Sequence, residues 1–156
     1  MAIERAKEYL KKYGLDDKIM EFDVSSATVE KAAIAIGCKE AEIAKSLSFI
    51  VDEKPILIVT SGNSKVDNSK FKAEFHTKAK MIPFDDVEQM IGHAAGGVCP
   101  FGVNDAVVIY LDVSLKSFET VYPACGSSNS AIKLTPDQLE QITVYEKWVD
   151  VCKNAQ

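Results

Sequence analysis

The chain has 156 residues, 47% of them hydrophobic and 26% charged, the balance of a folded chain rather than a disordered one. Eighteen basic residues against 23 acidic ones give a net charge of −5, the wrong sign for a protein that wraps nucleic acid without sequence preference. The longest apolar runs, Ile56 to Val59 and Ala106 to Leu111, fall far short of the ~20 residues of a membrane helix, and Met1 to Glu8 has no signal-like apolar core. A single domain over 1–156, acting in the cytoplasm, is the expectation.

In chain order, Ile3, Ala6, Leu10 and Tyr13 fall at helical spacing, with Gly14 as a stop. Ile19 to Val24 reads as a short strand. Ser25, Ser26 and Thr28 are N-cap candidates for an alanine-rich helix that runs to Ile36 and ends at Gly37. Ala44 to Val51 and Pro55 to Thr60 form a predicted antiparallel hairpin across Asp52-Glu53-Lys54. After the loop Ser61 to Ser64 comes a helix, Asp67 to Phe75, then a brief strand at Lys80 to Pro83. A short helix from Asp85 to Ile91 ends at Gly92. Ala106 to Leu111 is a buried strand, and Phe118 to Pro123 and Ser130 to Leu134 are two more, joined by the turn Cys125 to Asn129. Thr135 at the N-cap and Pro136 at N1 open a last helix. Strands with short polar connections between isolated helices do not alternate as a doubly wound sheet does. They predict an α/β fold of the α+β type, a mixed and largely antiparallel sheet curled toward a barrel and flanked by helices.

Two features carry chemistry. Alternation along the first hairpin strand puts Lys45 on one face with Leu47, Phe49 and Val51, where an ammonium is costly unless it reaches a partner or a wet cavity. The second is Gly92 to Gly102, with four glycines and one proline in eleven residues. Such a loop suits backbone contact with an anion, a carbonyl or a ribose hydroxyl, and equally suits a tight crossover between a helix and a strand. It is neither a Walker motif nor a dinucleotide fingerprint.

Cys38, Cys99, Cys125 and Cys152 form no C-x-x-C pair and are expected to be free thiols. His76 and His93 sit in no zinc-like spacing, so neither a metal nor a cofactor is expected. Cys99 could serve as a nucleophile only with a base such as His93 folded back onto it. Lys65 to Lys80 is the one lysine-rich segment able to meet nucleic acid locally, and a solvated helix face accounts for it as well. Arg5 is the sole arginine.

Ala44-Lys45-Ser46-Leu47-Ser48-Phe49 together with Gly96-Gly97-Val98-Cys99-Pro100-Phe101-Gly102 resembles the YbaK/EbsC family. These are trans-acting aminoacyl-tRNA deacylases related to the editing insertion of bacterial prolyl-tRNA synthetases. The likeness extends to Val66 to Lys70 and to the turn at Gly126. It implies a distorted barrel and hydrolysis of the ester joining a wrong, small amino acid to the terminal adenosine of a tRNA such as tRNA-Pro. It also implies Lys45, Gly96 and Gly97 as the catalytic positions, and Ser46, Val98, Cys99, Pro100, Gly102 and Gly126 as the substrate-binding ones. Mischarged tRNA is the implied partner, with Lys70 and Lys72 as candidate contacts and a synthetase as a further partner; no membrane or DNA is expected. The rivals are a non-catalytic tRNA- or synthetase-binding module of the same fold, a Cys99-dependent thiol hydrolase, and a small-molecule esterase.

Overall fold

The computed structural model describes residues 2–153. Helix α1 (Ala2–Lys11) buries Ala6 and Leu10 completely and leaves its lysines outside. Strand β1 (Met20–Glu21) is shorter than expected and leads to α2 (Val29–Ile36). Thr28 caps that helix by accepting from the Lys31 N–H, and Gly37 ends it at φ +83°, a left-handed conformation that suits glycine.

The hairpin pairs β2 (Ile43–Val51) with β3 (Lys54–Ser61) over eight residue pairs. Its turn is two residues rather than three. Asp52 and Glu53 both take positive φ, the geometry that matches the twist of the flanking strands. Strand β4 (Lys65–Val66) precedes α3 (Asn68–Phe75), where the Asp67 carboxylate accepts from the Ser69 and Lys70 N–H groups. The expected strand at Lys80 to Pro83 is reduced to one bridge, Met81 to Phe49, with Pro83 unable to donate to a ladder.

After α4 (Val87–Ile91) and the glycine-rich loop come β5 (Val108–Asp112), β6 (Tyr122–Pro123) and β7 (Ser130–Ala131). Helix α5 (Pro136–Ile142) opens with the Thr135–Gln138 capping box, and β8 (Tyr145–Val149) and β9 (Cys152–Lys153) follow.

The main sheet runs β6-β2-β3-β5-β8 and curls into a half-barrel, as the sequence led one to expect, with helices α1 to α5 around it. It is mixed. The hairpin supplies its antiparallel pairing, while β6 with β2, β3 with β5 and β5 with β8 are parallel. The antiparallel share is completed outside that sheet, by β1 with β7 and β4 with β9. Connections through helices, such as α5 between β5 and β8, permit parallel neighbours that short turns do not.

Strand β3 is buried on both faces. Leu57 and Val59 pack with Ala44, Leu111, Leu10 and Leu139 on one side; Ile56 and Ile58 pack with Phe49 and Phe71 on the other. Where β5 ends, the buried Asp112 carboxylate accepts from the Ser114 and Val151 N–H groups, each at 2.9 Å. No helix among the described residues is long and apolar enough to cross a membrane.

Candidate active site

Lys45, Ser46, Gly96 and Val98 line one cavity of about 100 Å³. That is roughly three waters' worth at ~30 Å³ each, room for a small side chain and little more. Much of the remaining wall is small, Ala27, Thr28 and Ala32 around the start of α2 and Ala124 and Ala131 beside the Gly126 turn, with Ile43 and Tyr122 as larger members. These wall residues carry no chemical signature in the sequence. The run of small residues before α2 and the alanines within it are the one trace, since small side chains leave space.

Lys45 is half-buried on the face it shares with Leu47, Phe49 and Val51. Its amine finds partners, as an amine there must: it donates to the carbonyls of Ser64 (2.5 Å) and Gly62 (3.1 Å). The loop after β3 therefore holds the amine, and these two hydrogen bonds run to that loop rather than to the glycine-rich one. Burial pushes the Lys45 pKa down against a smaller upward pull from Cys152, and the neighbouring Lys65 charge adds a lesser downward push. The Ser46 hydroxyl oxygen is buried with no hydrogen-bond partner among the described residues.

The structure divides the two adjacent glycines. Gly96 lines the cavity, and a methyl group placed on it would meet Ser128 Cβ at 3.4 Å and Ala27 Cβ at 3.6 Å, ordinary contacts. Gly97 is buried, its N–H donates to the Ala94 carbonyl (2.8 Å), and an added Cβ would lie 2.5 Å from Ser127 N. Gly96 thus presents backbone to the cavity, whereas Gly97 lets the loop lie directly on the Gly126 turn. That turn is stitched to the preceding strand region by Phe22 N–H to Asn129 O (2.8 Å) and Ser26 N–H to Ser128 O (2.6 Å). Gly126 itself is buried at φ +91°. Pro100 and Gly102 sit in the wall of a different cleft, about 530 Å³, between the loop and Arg5, Tyr9 and Lys12 of α1.

Cys99 and His93 are fully buried, and His93 does fold back, with Nε2 3.5 Å from Cys99 Sγ. The same Nε2 lies 2.6 Å from the Phe101 carbonyl. A carbonyl only accepts, so Nε2 carries the proton and cannot serve as a base toward the thiol. Burial pushes the Cys99 pKa up to about 12, leaving a thiol at neutral pH. A cysteine nucleophile needs exposure and a cationic neighbour, and Cys99 has neither, which weighs against the thiol-hydrolase reading.

Burial pushes the His93 pKa down, the bond to Phe101 pulls it up, and Arg5 adds a smaller downward push. Below ~6.5 the unfolded chain takes up a proton that folded His93 resists, so this stability is complete above that pH and lost as pH falls through it. Between neutrality and ~5.5, the urea midpoint of the native protein is expected to drop further than that of His93→Gln, which lacks the titrating ring. Equal drops would contradict this.

Among the described residues no group of three or more His, Cys, Asp or Glu side chains could hold a metal ion.

The family model of the aminoacyl-tRNA editing domain matches residues 23–142. The chain is 46% identical to the uncharacterized protein YwhH of Bacillus subtilis (strain 168), over 99% of both chains. It is 30% identical to the proline–tRNA ligase of Shouchella clausii (strain KSM-K16) over 76% of its own length, yet spans only 21% of that enzyme. A crystal structure described as that of a proposed trans-editing enzyme for prolyl-tRNA synthetase superposes with a TM-score of 0.86 at 27% identity, covering 98% of each chain. A structure of the hypothetical protein APE2540 shares the fold, with a TM-score of 0.84 at 24% identity over 96% of this chain and 99% of that one. The small cavity lined by Lys45 and Gly96 lies within an aminoacyl-tRNA editing domain, and the chain belongs to that family, of the YbaK type.

Proposed function

We propose that this protein hydrolyses mischarged tRNA in trans, removing a small amino acid from tRNA-Pro after a synthetase has released the error. The observation that carries the reading is the ~100 Å³ cavity in which the strand lysine, the neighbouring serine and the glycine-rich loop share one wall. Editing is needed where binding alone fails, and neighbours differing by one methylene are sorted by only ~1–3 kcal/mol. A cavity this small, lined in part by alanines, suits the side chain of alanine, serine or cysteine.

In the reaction, water adds to the ester carbonyl carbon, the bond to the ribose oxygen breaks, and that oxygen leaves with a proton. Gly97 already donates its N–H within the loop, so the Gly96 backbone is the donor assigned to the developing oxyanion. The Lys45 amine holds the terminal phosphate or ribose. To do so it exchanges the neutral carbonyls of Gly62 and Ser64 for an anion, a stronger partner within reach of a flexible four-carbon stem. With the one buried histidine committed to Phe101, proton removal falls to a group on the substrate, such as a ribose hydroxyl. The test is release of free amino acid from alanyl-, seryl- and cysteinyl-tRNA-Pro with correctly charged prolyl-tRNA-Pro as control. Turnover of at least one mischarged species and sparing of the control is expected; no turnover of any would refute the reading. Residues 1–156 are read as one domain working in the cytoplasm, with a synthetase as the source of its substrate.

Lysines able to meet the tRNA are now distinguishable. Lys70 is partly neutralised by Asp150 (3.1 Å) and also donates to the Cys152 carbonyl, whereas Lys72 and Lys78 flank an open cleft. Lys65 and Lys153 face each other across β4 and β9, a like-charge pair that an external phosphate would relieve. Lys72→Glu is expected to weaken tRNA binding and to flatten the plot of log affinity against log salt by ~0.7–0.9 for the lost phosphate contact. Lys70→Ala is expected to change that slope less. Filter binding across a salt series decides it, and an unchanged slope for Lys72→Glu would eliminate this face.

A further inference from the structure

The glycine-rich loop leaves the fold at the end of α4 and returns two residues after Gly102, and its neck is closed at the protein surface. Asn104 closes it from one side. Its N–H donates to the Ile91 carbonyl (2.8 Å), and its side-chain amide donates to the carbonyls of Gln89 (2.8 Å) and Met90 (3.1 Å). These are last-turn carbonyls of α4, left open by the helix itself. Arg5 closes it from the other side. Its guanidinium donates from Nη1 to the Gly92 carbonyl (3.2 Å) and from Nη2 to Asn104 Oδ1 (3.1 Å).

The fit at Arg5 is close at both ends of the loop. A Cβ on Gly92 would lie 2.5 Å from Arg5 Nη1, and one on Gly102 would lie 2.7 Å from the Arg5 carbonyl oxygen. Both glycines take positive φ, which lets the backbone turn under the arginine. Arg5 is rooted by the helix that carries it, through buried Ala6 and Leu10 and the Tyr9 hydroxyl bonded to the Ile142 carbonyl (2.5 Å). From this neck the chain has only His93 to Ala95 before it reaches Gly96 at the cavity.

The geometry points to Arg5 as a positioning residue: it pins the two ends of the glycine-rich loop together and so fixes where the Gly96 backbone meets the substrate. A planar fork with two acceptors, one on each limb of the neck, can do this; the point charge of a lysine cannot hold both in one plane. Arg5 does not line the ~100 Å³ cavity, so it acts on the cavity through the loop. The catalytic part of this inference rests on the deacylase reading; the mechanical part does not.

The test pairs two readouts on the full chain carrying Arg5→Ala or Arg5→Lys. Amide hydrogen exchange of Gly97, whose N–H is bonded to the Ala94 carbonyl, is expected to quicken about tenfold in Arg5→Ala, with the β2 and β3 amides unchanged. Deacylation is expected to lose about tenfold in kcat, with KM altered less than about twofold, the signature of a misplaced transition-state donor. Arg5→Lys should fall between the two, and millimolar guanidinium added to Arg5→Ala should restore part of kcat. Unchanged loop exchange would overturn the proposal. So would quickened exchange throughout β2 and β3, because Arg5 would then be a general stabiliser. If loop exchange behaves as expected while the native protein shows no deacylation, the pin stands and the deacylase reading is the one that fails.

Discussion

Lys45→Ala is expected to slow deacylation by about 10²-fold, the loss that follows when a substrate is no longer held in register with the reacting groups. Among the described residues Lys45 is the one cationic residue that lines the cavity, and its amine rests beside it on the Gly62 and Ser64 carbonyls. The same change frees the carbonyls of Gly62 and Ser64 from their partner. That costs about 1–3 kcal/mol if they stay dry, and less once water reaches them. Rates should therefore be compared well below the melting transition, with circular dichroism as the check that the fold persists. Activity retained within about threefold in a folded Lys45→Ala protein would remove Lys45 from the mechanism, because even a uniform binding contact of ordinary strength is worth more than that.

Gly97→Ala and Gly96→Ala are expected to fail in opposite ways. At Gly97 the new methyl would sit 2.5 Å from Ser127 N and 2.6 Å from Gly126 C, both backbone atoms in a turn stitched to Phe22 and Ser26. Neither side can yield cheaply, so a loss of about 3 kcal/mol is expected, the upper end of overpacking. For a chain of this size that lowers the melting temperature by roughly 6–12 °C. At Gly96 the methyl meets only Ser128 and Ala27 at ordinary distance, and stability should change by less than about 0.5 kcal/mol. Its methyl would nevertheless enter a cavity of about 100 Å³, so deacylation should fall with the fold intact. Calorimetry beside rate measurements separates the pair; equal melting temperatures for the two variants would contradict the division.

What the sequence revealed was what is encoded locally. Thr28 and Gly37, Asp67, and Thr135 with Pro136 sit at the helix ends their chemistry suits, because a cap is satisfied by neighbours two or three residues away. The hairpin followed from alternation, and the lysine on its apolar face marked the cavity. Pairing choice is not local, so the three parallel neighbours of the main sheet had no signature. Strand β8 went unread, since Glu146 and Lys147 interrupt any apolar run. The unlike roles of Gly96 and Gly97 depend on a turn thirty residues further along, and no spacing rule separates two adjacent glycines. Nor did Lys70 and Lys72 look different until Asp150 was seen beside the first.

On the proposed reading the small cavity, not the ~530 Å³ cleft on the far side of the loop, receives the aminoacyl end. Amide chemical-shift mapping with a non-hydrolysable alanyl-adenosine, its ester replaced by an amide, tests this directly. The signals of Lys45, Ser46, Gly96 and Val98 should move together and saturably while those of Tyr9, Lys12 and Asn104 stay in place. Shifts confined to Tyr9, Lys12 and Asn104 would contradict it.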